Sequence, residues 1–289
     1  MEELGLAGPQ WELFCVNDNA ANVKLGIKLT KHMNQYLCDI HTLDLASKDA
    51  SKNTPGVIKL SKKTRALARF TKKSPTVAER ELKREAQKEN IPYRKLANPP
   101  RTRWNGKLSN YESVLHLKKP LQNLMSQNDN WHKYALTPAE WKLLKDMVTL
   151  LKPVKDTIEA LESEKVPTMH QVIERLYTMH CFFDEFIANP NNSRTGMLFA
   201  KELKKQVEKR FPNKGTQNKL RCIANYIAPQ FKGIHLLEEK IMEVTIKDIE
   251  NEADKLQNEE EPADIAIDLD DDMELNERLE LSPNSKLRN

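Results

Sequence analysis

Apolar positions follow two rhythms along this chain, a short one near the start and a helical one through the middle. Phe14, Cys15 and Val16 form a brief apolar run between Trp11 and Asn17, long enough for one buried strand over residues 12–17. The polar cluster Asn17-Asp18-Asn19-Ala20-Ala21-Asn22 ends it. Val23, Ile27, Leu29, His32 and Met33 then recur at helical intervals over residues 20–36, and a second apolar patch, residues 36–40, predicts another strand. Two strands alone are marginal in water, so this strand-helix-strand fragment needs cover from the helices that follow.

The helical rhythm strengthens downstream. Leu60, Leu67 and Phe70 can line a helix starting near Pro55. Residues 79–89 are charged nearly all round and predict a solvated helix or a linker, and Pro92, Pro99 and Pro100 break the pattern before Arg101. Thr137-Pro138-Ala139-Glu140 is a capping box, with proline at the first helical position and Glu140 placed to reach back to the Thr137 amide. After it Trp141, Leu144, Met147, Val148, Leu151, Val154, Ile158 and Leu161 recur at three and four, with Pro153 expected to bend the helix. Thr168 with Gln171 repeats the box more weakly before a helix carrying Val172, Ile173, Leu176, Phe182, Phe183 and Phe186. A third helix spans about residues 196–210, and a short apolar segment, residues 220–226, runs into Pro229. The fold class is α+β, mainly α, with an antiparallel helical assembly as its larger part.

Charge divides the chain. The 289 residues carry a net charge of +4, yet residues 57–107 hold 16 Lys or Arg against 4 Glu, while residues 238–289 hold 18 acids against 6 bases. Beyond about residue 250 acids dominate and aromatics vanish, a composition that cannot offset the entropy of ordering the chain, so a disordered acidic tail is expected. The basic stretch suits phosphates bound through counterion release, with Lys62, Lys63, Arg65 and Arg101 as candidate contacts. Its aromatics, Phe70, Tyr93 and Trp104, are too sparse to support base readout.

Other chemistries find little footing. Cysteines at 15, 38, 181 and 222 lack the density of a disulfide scaffold and point to a reducing compartment. No secretory leader or membrane-length apolar run is present, so no membrane partner is expected. Serine-hydrolase elbows, glycine-rich phosphate loops and Cys-x-x-Cys pairs are missing. Cys38 and His41 lack a second ligand pair for structural zinc, and a buried small thiol beside a capped helix start is one reading of them.

Four landmarks in order carry a family resemblance. They are Asp18-Asn19-Ala20; Cys38-x-x-His41 followed by Thr42-Leu43-x-Leu45; Thr102-Arg103-Trp104-Asn105; and Ala228-Pro229-Gln230-Phe231-Lys232, a worn Asp-Pro-Arg-Phe-Lys. Between about residues 12 and 237 the chain resembles the transposase core of the hAT transposon family. The resemblance implies a partial RNase H-like core at residues 1–50, a basic linker or DNA-facing segment at 51–107, a helical insertion domain at 108–250 and the acidic tail at 251–289. It also implies that Asp18 is the second of three metal-binding acids, that Cys38 and His41 support the active site, and that Arg103 and Trp104 lie beside DNA, the indole stacking on a displaced base.

The first and third acids have no counterpart in this sequence, and the BED-type zinc finger and the C-terminal dimerisation segment of the family are also missing. No cofactor is therefore expected, with Mg²⁺ bound at Asp18 only if the triad were completed, and no enzymatic activity by the chain alone. The expected function is that of a domesticated, transposase-derived DNA-binding protein of the nucleus. The alternative is a helical protein-interaction module, its helices at 137–211 binding a protein partner, or a chain acting in trans with a full-length transposase.

Overall fold

A computed structural model describes residues 13–18, 20–30, 33–98, 105–163, 165–231 and 239–257. The first described elements are β1 (Leu13–Asn17), α1 (Ala21–Leu29) and β2 (Met33–Leu37). The strands pair in parallel, in register from Leu13 with Met33 to Asn17 with Leu37, and α1 makes the crossover that parallel pairing requires. The second strand lies earlier than the apolar patch at residues 36–40 predicts. Asp39 opens α2 (Asp39–Lys52), with Cys38 at its cap position, so an acid at the positive end of a helix stops the strand at Leu37. The two-stranded sheet is half covered: Tyr36 is buried, whereas Phe14, Val16 and Leu37 are exposed.

Helices supply the rest. α3 (Pro55–Lys73) has proline at its first position, as the sequence predicts, and its Gly56 sits where a Cβ would meet Thr195 Cγ2 at 2.6 Å, so a side chain there would push the helix start off its neighbour. A π-helical turn, Pro75–Glu79, leads into α4 (Arg80–Lys88). Asn90 closes α4 in the left-handed region at φ 54°; its amide donates to Gln87 and that of Ile91 to Ala86, so two last-turn carbonyls are satisfied.

The expectation that residues 79–89 are wholly solvated is overturned, because Leu82 and Ala86 are fully buried. Two apolar residues one turn apart make a stripe too narrow to dominate the pattern. The carboxylates beside them are answered locally: Trp131 Nε1 donates to Glu81 at 2.7 Å, and Asn123 Nδ2 to Glu85 at 3.1 Å.

α5 (Asn105–His116), α6 (Lys118–Gln127) and the single turn α7 (Asp129–His132) precede the long α8 (Pro138–Leu161). The capping box forms in both directions, Glu140 N to Thr137 Oγ1 at 3.2 Å and Thr137 N to Glu140 Oε2 at 2.9 Å, and α8 continues through Pro153. The weaker box at Thr168 does not form, since that hydroxyl donates to the Leu161 carbonyl at 3.1 Å. α9 (Val172–Ala188), α10 (Arg194–Arg210) and α11 (Lys219–Ile227) follow, the last two capped by Ser193 and Asn218.

One apolar core joins Leu43, Leu60, Leu67 and Leu82 to Leu108, Trp131, Leu144, Phe183 and Phe199. Burying each such side chain contributes about 1.5–3 kcal/mol, so α2 to α4 are held in place by the same core as α5 to α10. The chain divides into two compact units, Met1–Ile246 and Lys247–Asn289. α12 (Glu239–Gln257) ends the first, and in the second, residues 247–257 are helical. Residues 251–257, expected in the disordered tail, are therefore helical; the remainder of that tail lies outside the described residues. Among the described residues no helix is long and apolar enough to cross a membrane.

Candidate nucleic-acid interface

Two charged regions lie near the first helices. The first is at the carboxyl end of the strand pair, where Asp18 and Cys38 leave β1 and β2 side by side, Cys38 N donating to Asn17 O at 2.8 Å. Asp18 is exposed, and its Oδ1 accepts the Ala20 amide at 3.2 Å, an Asx turn that leads into α1. Behind it lies a buried triad. Arg221, on α11, donates to both Asp39 and Tyr36 through separate nitrogens, and Tyr36 Oη donates to Asp39 Oδ2 at 3.0 Å. The Asp39 and Arg221 side chains are each 11% exposed, so this pair is largely out of water. Burial pushes the Tyr36 phenol well above its usual range, reinforced by the Asp39 carboxylate. Burial works against the Arg221 charge, but Asp39 and Tyr36 more than offset it.

This donor set does not fit a pair of Mg²⁺ ions. Asp39 has both oxygens engaged, and among the described residues no group of three or more His, Cys, Asp or Glu is arranged to hold a metal. Cys38 and His41 are half-buried, and the described residues give neither side chain a hydrogen bond.

The second region is a concavity of about 370 Å³ between the end of α2, the outer face of α3 and the first turn of α5. Lys52, Lys62, Arg65, Arg69 and Lys107 line it together with Ser51, Ser61 and Ile58, and among the described residues no carboxylate does. Residues 62, 65 and 69 share one face of α3 by helical spacing. Among the described residues Lys62, Arg65 and Lys107 have no ion-pair partner, and Lys52 pairs at 3.1 Å with the half-buried Asp49, which Arg210 also holds. Asp44, whose charge favours the Lys107 ammonium, binds Lys48 through Oδ2 at 2.5 Å and keeps a buried Oδ1 without a hydrogen bond among the described residues. Burial, with Arg65, Lys48 and Lys52 around it, lowers the Lys107 ammonium to about 8 despite Asp44. The site is thus concave and carries an excess of positive charge, with Asp44 and Asp49 offsetting part of it, an arrangement that concentrates anions.

Lys62 and Arg65, named from sequence, fall in this site. Lys63 does not: one position along α3 it turns the other way, donates to Glu140 Oε2 at 2.7 Å and Ala135 O at 3.3 Å, and ties α3 to the start of α8. Arg101, Arg103 and Trp104 lie outside the described residues. Lys52, Arg69 and Lys107 were not singled out from sequence. Arg69 was legible from the 62, 65, 69 spacing, whereas nothing local announces Lys107, which tertiary packing brings to α3.

The elements so far define a mainly helical protein with a small parallel βαβ unit and a basic face. Residues 37–150 match the model of the ZBED1 RNase-like helical domain. The match runs from the end of β2 through most of α8 and takes in Cys38, His41 and every residue lining the basic concavity. It ties this region to ZBED-type, transposon-derived proteins. No curated protein matches the chain.

Proposed function

We propose that this chain is an hAT transposase-derived, nuclear DNA-binding protein without nuclease activity, and that the α2–α3–α5 face is where DNA phosphates bind. The carrying observation is the convergence of Lys52, Lys62, Arg65, Arg69 and Lys107 on one concavity that no carboxylate of the described residues lines. The likeness of residues 37–150 to a ZBED1 RNase-like helical domain supports a transposon-derived origin. Arg101, Arg103 and Trp104 belong to this reading through the family resemblance alone.

The test is a duplex-DNA titration at 50 and 200 mM salt with wild type and the triple variant Lys62→Gln, Arg65→Gln, Arg69→Gln. If about four phosphates are neutralised, wild-type affinity falls on the order of 100-fold between the two conditions. The variant should bind more weakly with a shallower salt dependence. Equal affinity of the two proteins overturns the interface, and Mg²⁺-dependent cleavage lost in Asp18→Ala overturns the inactivity.

A second reading, a protein partner such as a fuller transposase, is favoured by the exposed Val16, Leu25, Leu29 and Leu37 of the βαβ unit. Co-purification that persists in the triple variant and is lost in Val16→Lys/Leu37→Lys would support it.

A further inference from the structure

We propose that the concavity between α2, α3 and α5 seats one nucleotide unit, its phosphate held by Arg65 and Lys107 and its sugar and base against Ile58 and the Arg69 side chain. This rests on the DNA-binding reading and narrows it from a charged face to a pocket for a single residue of the strand.

Size and shape come first. At about 370 Å³ the cavity is within the range of small-ligand sites and larger than a bare phosphate requires. The concavity lies between three helices, so a strand unit entering it meets cations from more than one element. Charge comes next. Five cations surround a space that no carboxylate of the described residues lines, and Asp44, which favours the Lys107 charge from outside it, is bonded to Lys48 through one oxygen. A guanidinium presents paired N–H groups that match phosphate oxygens, and an ammonium beside it adds a point charge.

The remaining lining suits the rest of a nucleotide. Ile58 is 37% exposed, an apolar surface among cations, and a guanidinium plane stacks readily on a base. The Ser51 hydroxyl is buried and donates to Ser47 O at 2.9 Å, while the Ser61 hydroxyl bonds Tyr111 Oη; each oxygen keeps acceptor capacity toward a sugar hydroxyl or a base amine. Burial of Lys107 among Arg65, Lys48 and Lys52, with only Asp44 opposing, makes its charged form costly in the empty pocket. A bound phosphate removes that cost, so the site gains most from a ligand that brings negative charge inside.

The experiment is calorimetric titration at low salt with deoxyadenosine 5′-monophosphate, inorganic phosphate and deoxyadenosine, on wild type, Lys107→Gln and Ile58→Ser. The monophosphate should bind at least tenfold more tightly than phosphate, with no measurable binding of the nucleoside. Lys107→Gln should lose tenfold or more for the monophosphate; Ile58→Ser should weaken the monophosphate and leave phosphate unchanged. Phosphate as tight as the monophosphate, or a monophosphate affinity indifferent to Lys107→Gln, overturns the proposal. Circular dichroism of each variant establishes that it is folded. Duplex DNA is titrated in parallel: monophosphate failure with salt-sensitive duplex binding intact overturns the pocket alone, and loss of both overturns the DNA-binding reading with it.

Discussion

The strand end and the α3 face both carry charge, and they differ in how it is answered. At the strand end, Arg221, Asp39 and Tyr36 satisfy one another out of water, joining residues 182 apart in the chain. On the α3 face, cations from α2, α3 and α5 line one recess with no carboxylate of the described residues among them. Paired buried charges satisfy one another within the fold, whereas like charges gathered in a recess leave a positive field that attracts anions. By this comparison the charges at the strand end serve the fold, and those of the α3 face remain open to a ligand.

The sharpest way to break the comparison is at Arg221. Removing one partner of a buried pair leaves the other charged and unanswered, which costs about 3–5 kcal/mol. Arg221→Met should therefore lose stability on that scale in chemical denaturation. Asp39→Asn in the same background should recover part of the loss, because the stranded carboxylate is gone. Duplex affinity of the folded fraction should stay unchanged. A loss below about 1 kcal/mol would show that the triad is not what joins β2 and α2 to α11.

A smaller effect is expected at Lys107, and it depends on pH. Its folded pKa is about 8, against 10.5 for the ordinary side chain. Below pH 8 both states hold the proton, and the fold bears the full cost of that charge. Between about pH 8 and 10.5 the unfolded chain retains a proton that the folded chain has released, so stability rises with pH. Relative to Lys107→Met, wild type should then gain a few degrees in Tm from pH 8 to 9.5, while at pH 7 the variant should be the more stable protein. Pairing the two proteins cancels the titration of other groups. Parallel Tm curves would show that Lys107 sits in no such field.

How much of this was legible follows from range. The capping box at Thr137, the proline start of α3 and the apolar stripe of α8 are local patterns, and the fold keeps each. α4 was misread because two buried residues among many charges make no visible stripe. β2 was placed late because the apolar residues after Leu37 belong to a helix that an acidic first turn favours. The basic stretch was visible as composition, but its division into working and structural cations was not. Lys107 joins α3 through tertiary packing, and Arg221 finds Asp39 from far along the chain. Periodicity reports which face of an element is buried and is silent on what comes to meet it.

The adjacent lysines of α3 give the finest test of that division. Lys63 Nζ reaches Glu140 Oε2 at 2.7 Å, and that carboxylate also accepts the Thr137 amide, so Lys63 braces the capping box of α8. Burial alone would raise the Glu140 pKa, but Lys63 and the Thr137 amide together hold it below the usual carboxylate range. Lys62, one residue earlier, lines the recess and has no ion-pair partner among the described residues. Lys63→Gln should therefore cost about 1 kcal/mol of stability, with duplex affinity and its salt dependence unchanged. Lys62→Gln should do the opposite: stability stays within about 0.5 kcal/mol, and the salt slope falls by about one. Denaturation curves and two-salt titrations on the two variants separate the outcomes. Equal loss of DNA affinity in both would mean that the whole of α3 acts as one diffuse basic surface, and the distinction between pocket and scaffold at these two positions would fail.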